Sequence, residues 1–192
     1  MAIPFRDAIE LEELGAAGYL KIQSHPAGYM GALILINVRG EPLEFTYTRV
    51  ETPHTFLWRR DDIGRHAARK ITASLLSLCP QVPRLMLCLA EEVGNELFCQ
   101  DIQVSIPVCR IASRMAAVPF SSREVMDVTD TGEPMHLFWF PEKPDEGSAE
   151  QELLRKLVSH GLLLEPFERA AVGLREVYKG KISTSPQNGQ KI

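Results

Sequence analysis

Residues 30–50 read MGALILINVRGEPLEFTYTRV, and this stretch decides the fold class. Met30 to Val38 is an apolar run of the kind buried on both faces. Leu43 to Val50 alternates, with Leu43, Phe45 and Tyr47 on one side and Glu44, Thr46 and Thr48 on the other. Successive side chains of an extended chain point to opposite faces, so this second run reads as a half-buried strand. Arg39 and Gly40 supply the turn between them. The pair is a β-hairpin, and the domain is built on a sheet. On its N-terminal side Tyr19 to Gln23 alternates weakly and is expected to add a strand, with a loop at His25, Pro26, Ala27 and Gly28 between them.

Working outward, the period changes. Ile63, Ala67, Ile71, Leu75 and Leu78 recur at three- and four-residue spacing, which is the stripe of an amphipathic helix over 63–79. Asp61 or Asp62 is expected to cap it, and Pro80 to end it, because proline disfavours helical geometry in the residue before it. Arg84 to Ala90 is almost wholly apolar, as suits a central strand. Leu97 to Ile111 sets Ile102, Val104, Ile106 and Val108 against Asp101, Gln103 and Ser105, and is expected to form another hairpin. Residues 113–135 lack a period and are expected to hold little regular structure. Leu137 to Phe140 is a short dense strand. Ser148 and Gln151 have capping-box spacing ahead of the Leu153, Leu154, Leu157 and Val158 stripe, which ends before Gly161. A further helix is expected from Pro166, burying Phe167, Ala170, Ala171, Leu174 and Val177.

The expected architecture is thus α+β (or α/β): a mixed, largely antiparallel sheet of about five to six strands with a main amphipathic helix and a C-terminal helix pair. Residues 1–178 are expected to form a single domain, and 179–192 a disordered polar tail. The longest apolar stretch, Met30 to Ile36, is far short of the roughly twenty residues that span a bilayer. Arg6, Asp7, Glu10, Glu12 and Glu13 interrupt any apolar leader, so a soluble, cytoplasmic protein is expected. Cys79, Cys88, Cys99 and Cys109 form neither CxxC nor CxxH and read as reduced core residues.

Three groupings could carry chemistry. Glu91 and Glu92 follow the central strand, where open sheets collect ligands, and Asp101 or Glu96 could join them as a metal ligand or general base. Arg59, Arg60, Arg65, Arg69 and Lys70 face only Asp61 and Asp62, five positive charges against two negative, a formal +3 able to grip phosphate. The same residues also suit a solvated helix face. Glu142, Asp145, Glu146, Glu150 and Glu152 against Lys143 give a formal -4 further along, in a chain whose net charge is -4. The histidines His25, His54, His66, His136 and His160 never take helical metal-ligand spacing, although His54 and His66 could meet. No phosphate-binding glycine loop, nucleophile elbow, HExxH or cysteine quartet is present.

The order hairpin, helix, buried strand over roughly residues 30–90 is similar to the core of the zinc-dependent nucleoside deaminases. Their His-x-Glu is replaced by His66, Ala67 and Ala68, and Cys79-Pro80 lacks a second cysteine in reach. The same order also resembles RNase H-like nucleases, whose acid on the first strand has no counterpart in Gly31 to Val38. An element order does not transfer an activity.

Absent motifs and polarised charge lead to the expectation of a non-catalytic interaction or accessory subunit of an intracellular protein assembly. It would meet a protein partner through the 113–135 excursion (Met115, Val118, Phe120) or the terminal helices, without cofactor or metal. The first alternative is a phosphate or nucleic-acid binding protein using Arg59, Arg60, Arg65, Arg69 and Lys70. The second is a metal-dependent hydrolase or nuclease-like enzyme using Glu91, Glu92 and Asp101.

Overall fold

The computed structural model describes residues 14–52, 55–113, 118–129, 132 and 134–179, and the backbone but not the side chains of Thr55 and Arg60. Residues 180–192 of the expected tail, His54 and Met115 lie outside the described residues, whereas Lys179, expected to open the tail, is helical. The strands are β1 (Ala17–His25), β2 (Gly28–Ile36), β3 (Pro42–Glu51), β4 (Leu85–Leu89), β5 (Val108–Ser113), β6 (Val125–Thr129) and β7 (Met135–Phe140). They form one mixed sheet of order β3-β2-β1-β4-β5-β7-β6. β1 and β5 run parallel to β4 between them, and the other neighbours are antiparallel. The expectation of a largely antiparallel mixed sheet holds, with seven strands rather than five or six. Helix α1 (Arg60–Leu78) covers one face, and α2 (Ala149–Ser159) and α3 (Glu165–Lys179) cover the other.

Both faces are packed at the centre of the sheet, where β2 and β4 are apolar along their length. Tyr19, Ile34, Leu87 and Cys109 pack under α2 and α3, while their sequence neighbours Leu20, Leu33, Met86 and Val108 pack with Ile71 and Leu75 of α1. β4 is the middle strand, as its unbroken apolar run requires. The outer strand β3 forms where its alternation marked it, but Leu43 and Tyr47, expected inward, are exposed, while Phe45 packs on the α2–α3 side and Val50 on the α1 side.

β1 is longer than its weak alternation suggested, and only Pro26 and Ala27 separate it from β2. Gly28 makes that turn feasible: its φ is 141°, and a Cβ there would come within 2.2 Å of the Val50 carbonyl oxygen. Ser148 caps α2 by accepting a hydrogen bond from the Gln151 N–H at 3.2 Å. Gly161 ends it at φ 70°, where the Leu162 N–H donates to the Leu157 carbonyl. Neither Asp61 nor Asp62 caps α1; the cap position is Arg59, and both acids lie in the first turn.

Two expectations fail. Leu97 to Ile111 is no hairpin: Leu97–Asp101 is a single π-helical turn, followed by an extended stretch that leads into β5. Leu97, Phe98 and Cys99 are buried consecutively, which a strand with one wet face cannot do. Ile102, Val104 and Ile106 rest on the α1-side core without a strand partner. The 113–135 excursion, conversely, contains the edge strand β6. The four cysteines are free; three are buried, and burial pushes the Cys88 thiol up to about 12. Among the described residues, no helix is long and apolar enough to cross a membrane.

Candidate nucleic-acid interface

Open sheets place ligands beyond the carboxyl ends of their parallel strands, which directs attention to the rim where β1 and β4 end. β1 outruns β4, their ladder stopping at Leu20 and Cys88. The Ile22 N–H would be left without a strand partner, and Glu92, in the turn beyond β4, supplies one: Oε2 accepts from Ile22 N at 3.1 Å, and Oε1 accepts from Lys21 Nζ. Burial raises the Glu92 carboxyl above its ordinary range, while Lys21 and the Ile22 N–H pull it back. Glu92 therefore closes the sheet and neutralises Lys21.

Its neighbours turn elsewhere. Glu91 is exposed and borders a cleft of about 280 Å³ on the α3 side, with Lys21, Ser113, Phe167 and Glu168. Asp101 ends the π-helical turn and is gripped by Arg65 at two points, Nε to Oδ2 at 2.9 Å and Nη2 to Oδ1 at 2.8 Å. That grip holds the Asp101 carboxyl below its ordinary range. Glu91, Glu92 and Asp101 thus do not converge, and no trio of His, Cys, Asp or Glu among the described residues is placed to hold a metal ion. Glu92 and Asp101 have already committed their oxygens to cationic side chains, so this trio does not fit a divalent metal. A different set of acids does gather. Asp61 and Asp62, in the first turn of α1, line a cleft of about 320 Å³ with Arg65, Glu92 and Glu96. Their separation of roughly thirty residues hid this from sequence reading, since only the fold brings α1's first turn to the end of β4.

The basic segment is split by its own helix. Arg65 and Arg69, one turn apart, line a shallow cleft of about 230 Å³ with Trp58, Asp62, His66 and Asp101. Arg59, Arg65, Arg69 and Lys70 are exposed. The structure brings Arg65 and Arg69 together, anchors Arg65 on Asp101, and sets Arg59 at the helix start and Lys70 one turn beyond His66. The His66 ring packs on Trp58 with centroids 4.8 Å apart. Partial burial, then the charges of Lys70 and Arg69, lower the His66 pKa from its ordinary value. Trp58 and His66 carried no motif; the signal for Trp58 was an aromatic directly ahead of paired arginines.

No family model and no curated protein sequence matches this chain. Solved structures do. The chain is similar to the endonuclease V of Streptomyces avermitilis, with a TM-score of 0.59 at 13% identity over 95% of this chain and 96% of that one. It is similar to the Ciona intestinalis endonuclease V, solved with a 23mer DNA containing an inosine followed by a ribo-adenosine, with a TM-score of 0.56 at 9% identity over 93% of this chain and 100% of that one. For the endonuclease V of Bacillus subtilis the TM-score is 0.53 at 12% identity, over 88% and 82%.

This protein therefore has an α/β fold of the endonuclease V type. The expectation of a non-catalytic accessory subunit is overturned, because nearly the whole chain superposes on nucleases rather than on a docking module. It had rested on absent motifs, and this fold is built without any of the glycine loops or cysteine quartets that were sought. The resemblance to RNase H-like nucleases in element order had taken Gly31 to Val38 as the first strand. The first strand is, however, β1 rather than β2. Its sequence AGYLKIQSH contains no carboxylate, and Lys21 stands beside the β4 rim instead.

Proposed function

We propose that this protein binds nucleic acid along the α1 side of the rim, with Arg59, Arg65, Arg69 and Lys70 contacting phosphates. The observation that carries the reading is the shared cleft of Arg65 and Arg69 beside the carboxyl ends of β1 and β4. The fold adds support, since the Ciona protein that it resembles was solved with DNA bound. Arg65, held by Asp101, is pre-oriented; the others reach outward from an exposed helix face. Such contacts release counterions, so affinity falls with salt. Anisotropy of a labelled oligonucleotide is expected to show roughly a hundredfold weaker binding when salt rises fourfold, as about four phosphate contacts dictate. Arg69→Glu with Lys70→Glu should weaken binding strongly; unchanged affinity would overturn the reading.

Hydrolysis of the bound strand is a second reading, favoured by the likeness of the fold to endonuclease V structures, with Asp61 and Asp62 of the cleft at the first turns of α1 as the acids to test. Cleavage of an end-labelled strand that disappears in Asp61→Asn/Asp62→Asn would support it. An intact strand after long incubation with magnesium or manganese would remove it.

A further inference from the structure

The segment that leads into α1 puts three large apolar side chains in succession at the surface: Phe56 at 82%, Leu57 at 73% and Trp58 at 40% exposure. Of the two tryptophans only Trp58 reaches the surface; Trp139 is fully buried in the sheet. Leaving large aromatics in water forgoes the stabilisation their burial would bring, and an exposed apolar group that borders a charged cleft marks a contact surface. Trp58 is also held in place. His66, on the first turns of α1, packs against its ring with planes tilted by 46°, and both line the cleft that contains Arg65 and Arg69.

We infer that Trp58 is a stacking platform for unpaired bases, so that the ligand of the basic face is a single strand rather than a duplex. The inference rests on the nucleic-acid reading above and names its substrate class. A duplex buries the faces of its bases in its own stack and offers a protein surface mainly phosphates, which arginines alone would satisfy. A single strand offers phosphates on one side and base faces on the other, and alternation of cations with aromatics matches that pattern. Here the aromatics at 56 and 58 directly precede Arg59, and Arg65 and Arg69 follow within the next turns of the same helix. Charge complementarity also favours a polyanion over an apolar protein segment at this place: Arg59 follows Trp58 in the chain, and Arg65 and Arg69 share its cleft with Asp62 and Asp101, of which Asp101 is paired with Arg65. His66 contributes support through its ring, and its burial, then the charges of Lys70 and Arg69, lower its pKa from the ordinary value. Every base has a π face, so the platform selects strandedness and not sequence.

The two tryptophans make the test direct. The full-length protein is titrated with a thymidine oligonucleotide of about twelve residues and with a duplex of the same length, following tryptophan emission and anisotropy together. The single strand should bind more tightly and quench emission, and the quench should vanish in Trp58→Phe, whose remaining Trp139 is fully buried. Trp58→Ala should weaken single-strand binding about tenfold and leave duplex binding unchanged, while Trp58→Phe keeps most of the affinity. Unfolding midpoints of both variants confirm that the fold is intact. Equal affinity for strand and duplex, or binding without a Trp58 quench, would overturn the platform while leaving the salt-dependent phosphate contacts standing. Absence of binding to either would overturn both.

Discussion

Arg110 is 2% exposed in the middle of β5, and its guanidinium is bonded through two of its nitrogens. Nε donates to the Val93 carbonyl at 3.0 Å and Nη1 to Glu124 Oε1 at 2.7 Å. The other Glu124 oxygen accepts from the Ser121 N–H at 2.9 Å, and the Phe138 ring lies 5.7 Å from Cζ. One buried side chain thus ties the turn after β4 to the segment ahead of β6. A pair of this kind costs desolvation to bury, so its net worth is small, but removing one partner strands the other charge in the core. Glu124→Ala is therefore expected to destabilise the fold by about 3–5 kcal/mol, and Arg110→Met/Glu124→Leu by much less. Urea unfolding of the three proteins measures both; equal losses in the single and double variants would show that the pair contributes through its own attraction instead. None of this could be read in the sequence, where Glu124 sits in a stretch without a period, fourteen positions from Arg110.

At the scale of elements, the seating of α1 on β2 depends on a missing side chain. A Cβ at Gly31 would come within 2.2 Å of Ile71 Cγ2 and 3.1 Å of the Lys21 carbonyl oxygen. Ile71 is β-branched and stiff at χ1, so it cannot swing aside, and the helix itself would have to lift from the sheet. Gly31→Ala is expected to cost about 1–3 kcal/mol. Combined with Ile71→Ala it should cost less than the sum of the two single changes, because the second removes the clash that the first creates. Strict additivity in thermal or urea unfolding would argue that the helix does not rest at this point. The alternation of the edge strand β3 did not survive folding, since only Phe45 and Val50 of it pack on the core. The patterns that announced β2, β4 and α1 did, because each element meets the core along one face, or along both. The π-helical turn at Leu97–Asp101 and the edge strand β6 escaped notice for the opposite reason. In the first, three consecutive buried residues break any alternation. In the second, Val125, Met126 and Val128 are all exposed, so hydrophobic side chains report no inside at all.

For the molecule as a whole, the candidate site was legible only in its parts. Arg65 and Arg69 share a helix face that spacing alone implies, whereas Asp61 meets Glu92, and Asp101 meets Arg65, only because the sheet order brings the end of β4 to the start of α1. The same topology separates the two charged segments. The basic one lies on α1 at the carboxyl end of β4. The acidic one leads into α2, where Glu150 lies 3.7 Å from Arg84, just ahead of the amino end of β4 and on the opposite face. Two helix layers flanking a sheet stand about 20 Å apart, against a screening length of about 8 Å at physiological salt and about 30 Å at 0.01 M. A bound polyanion should therefore feel the acidic face only in dilute salt, despite the net charge of -4. Glu150→Gln/Glu152→Gln is expected to leave oligonucleotide affinity unchanged at physiological salt and to strengthen it near 0.01 M, where the long screening length of about 30 Å lets the two faces interact. Affinity measured at both salt concentrations decides the point: strengthening of equal size in both would mean that the strand also touches the α2 face, and that its path extends around the molecule rather than along the rim.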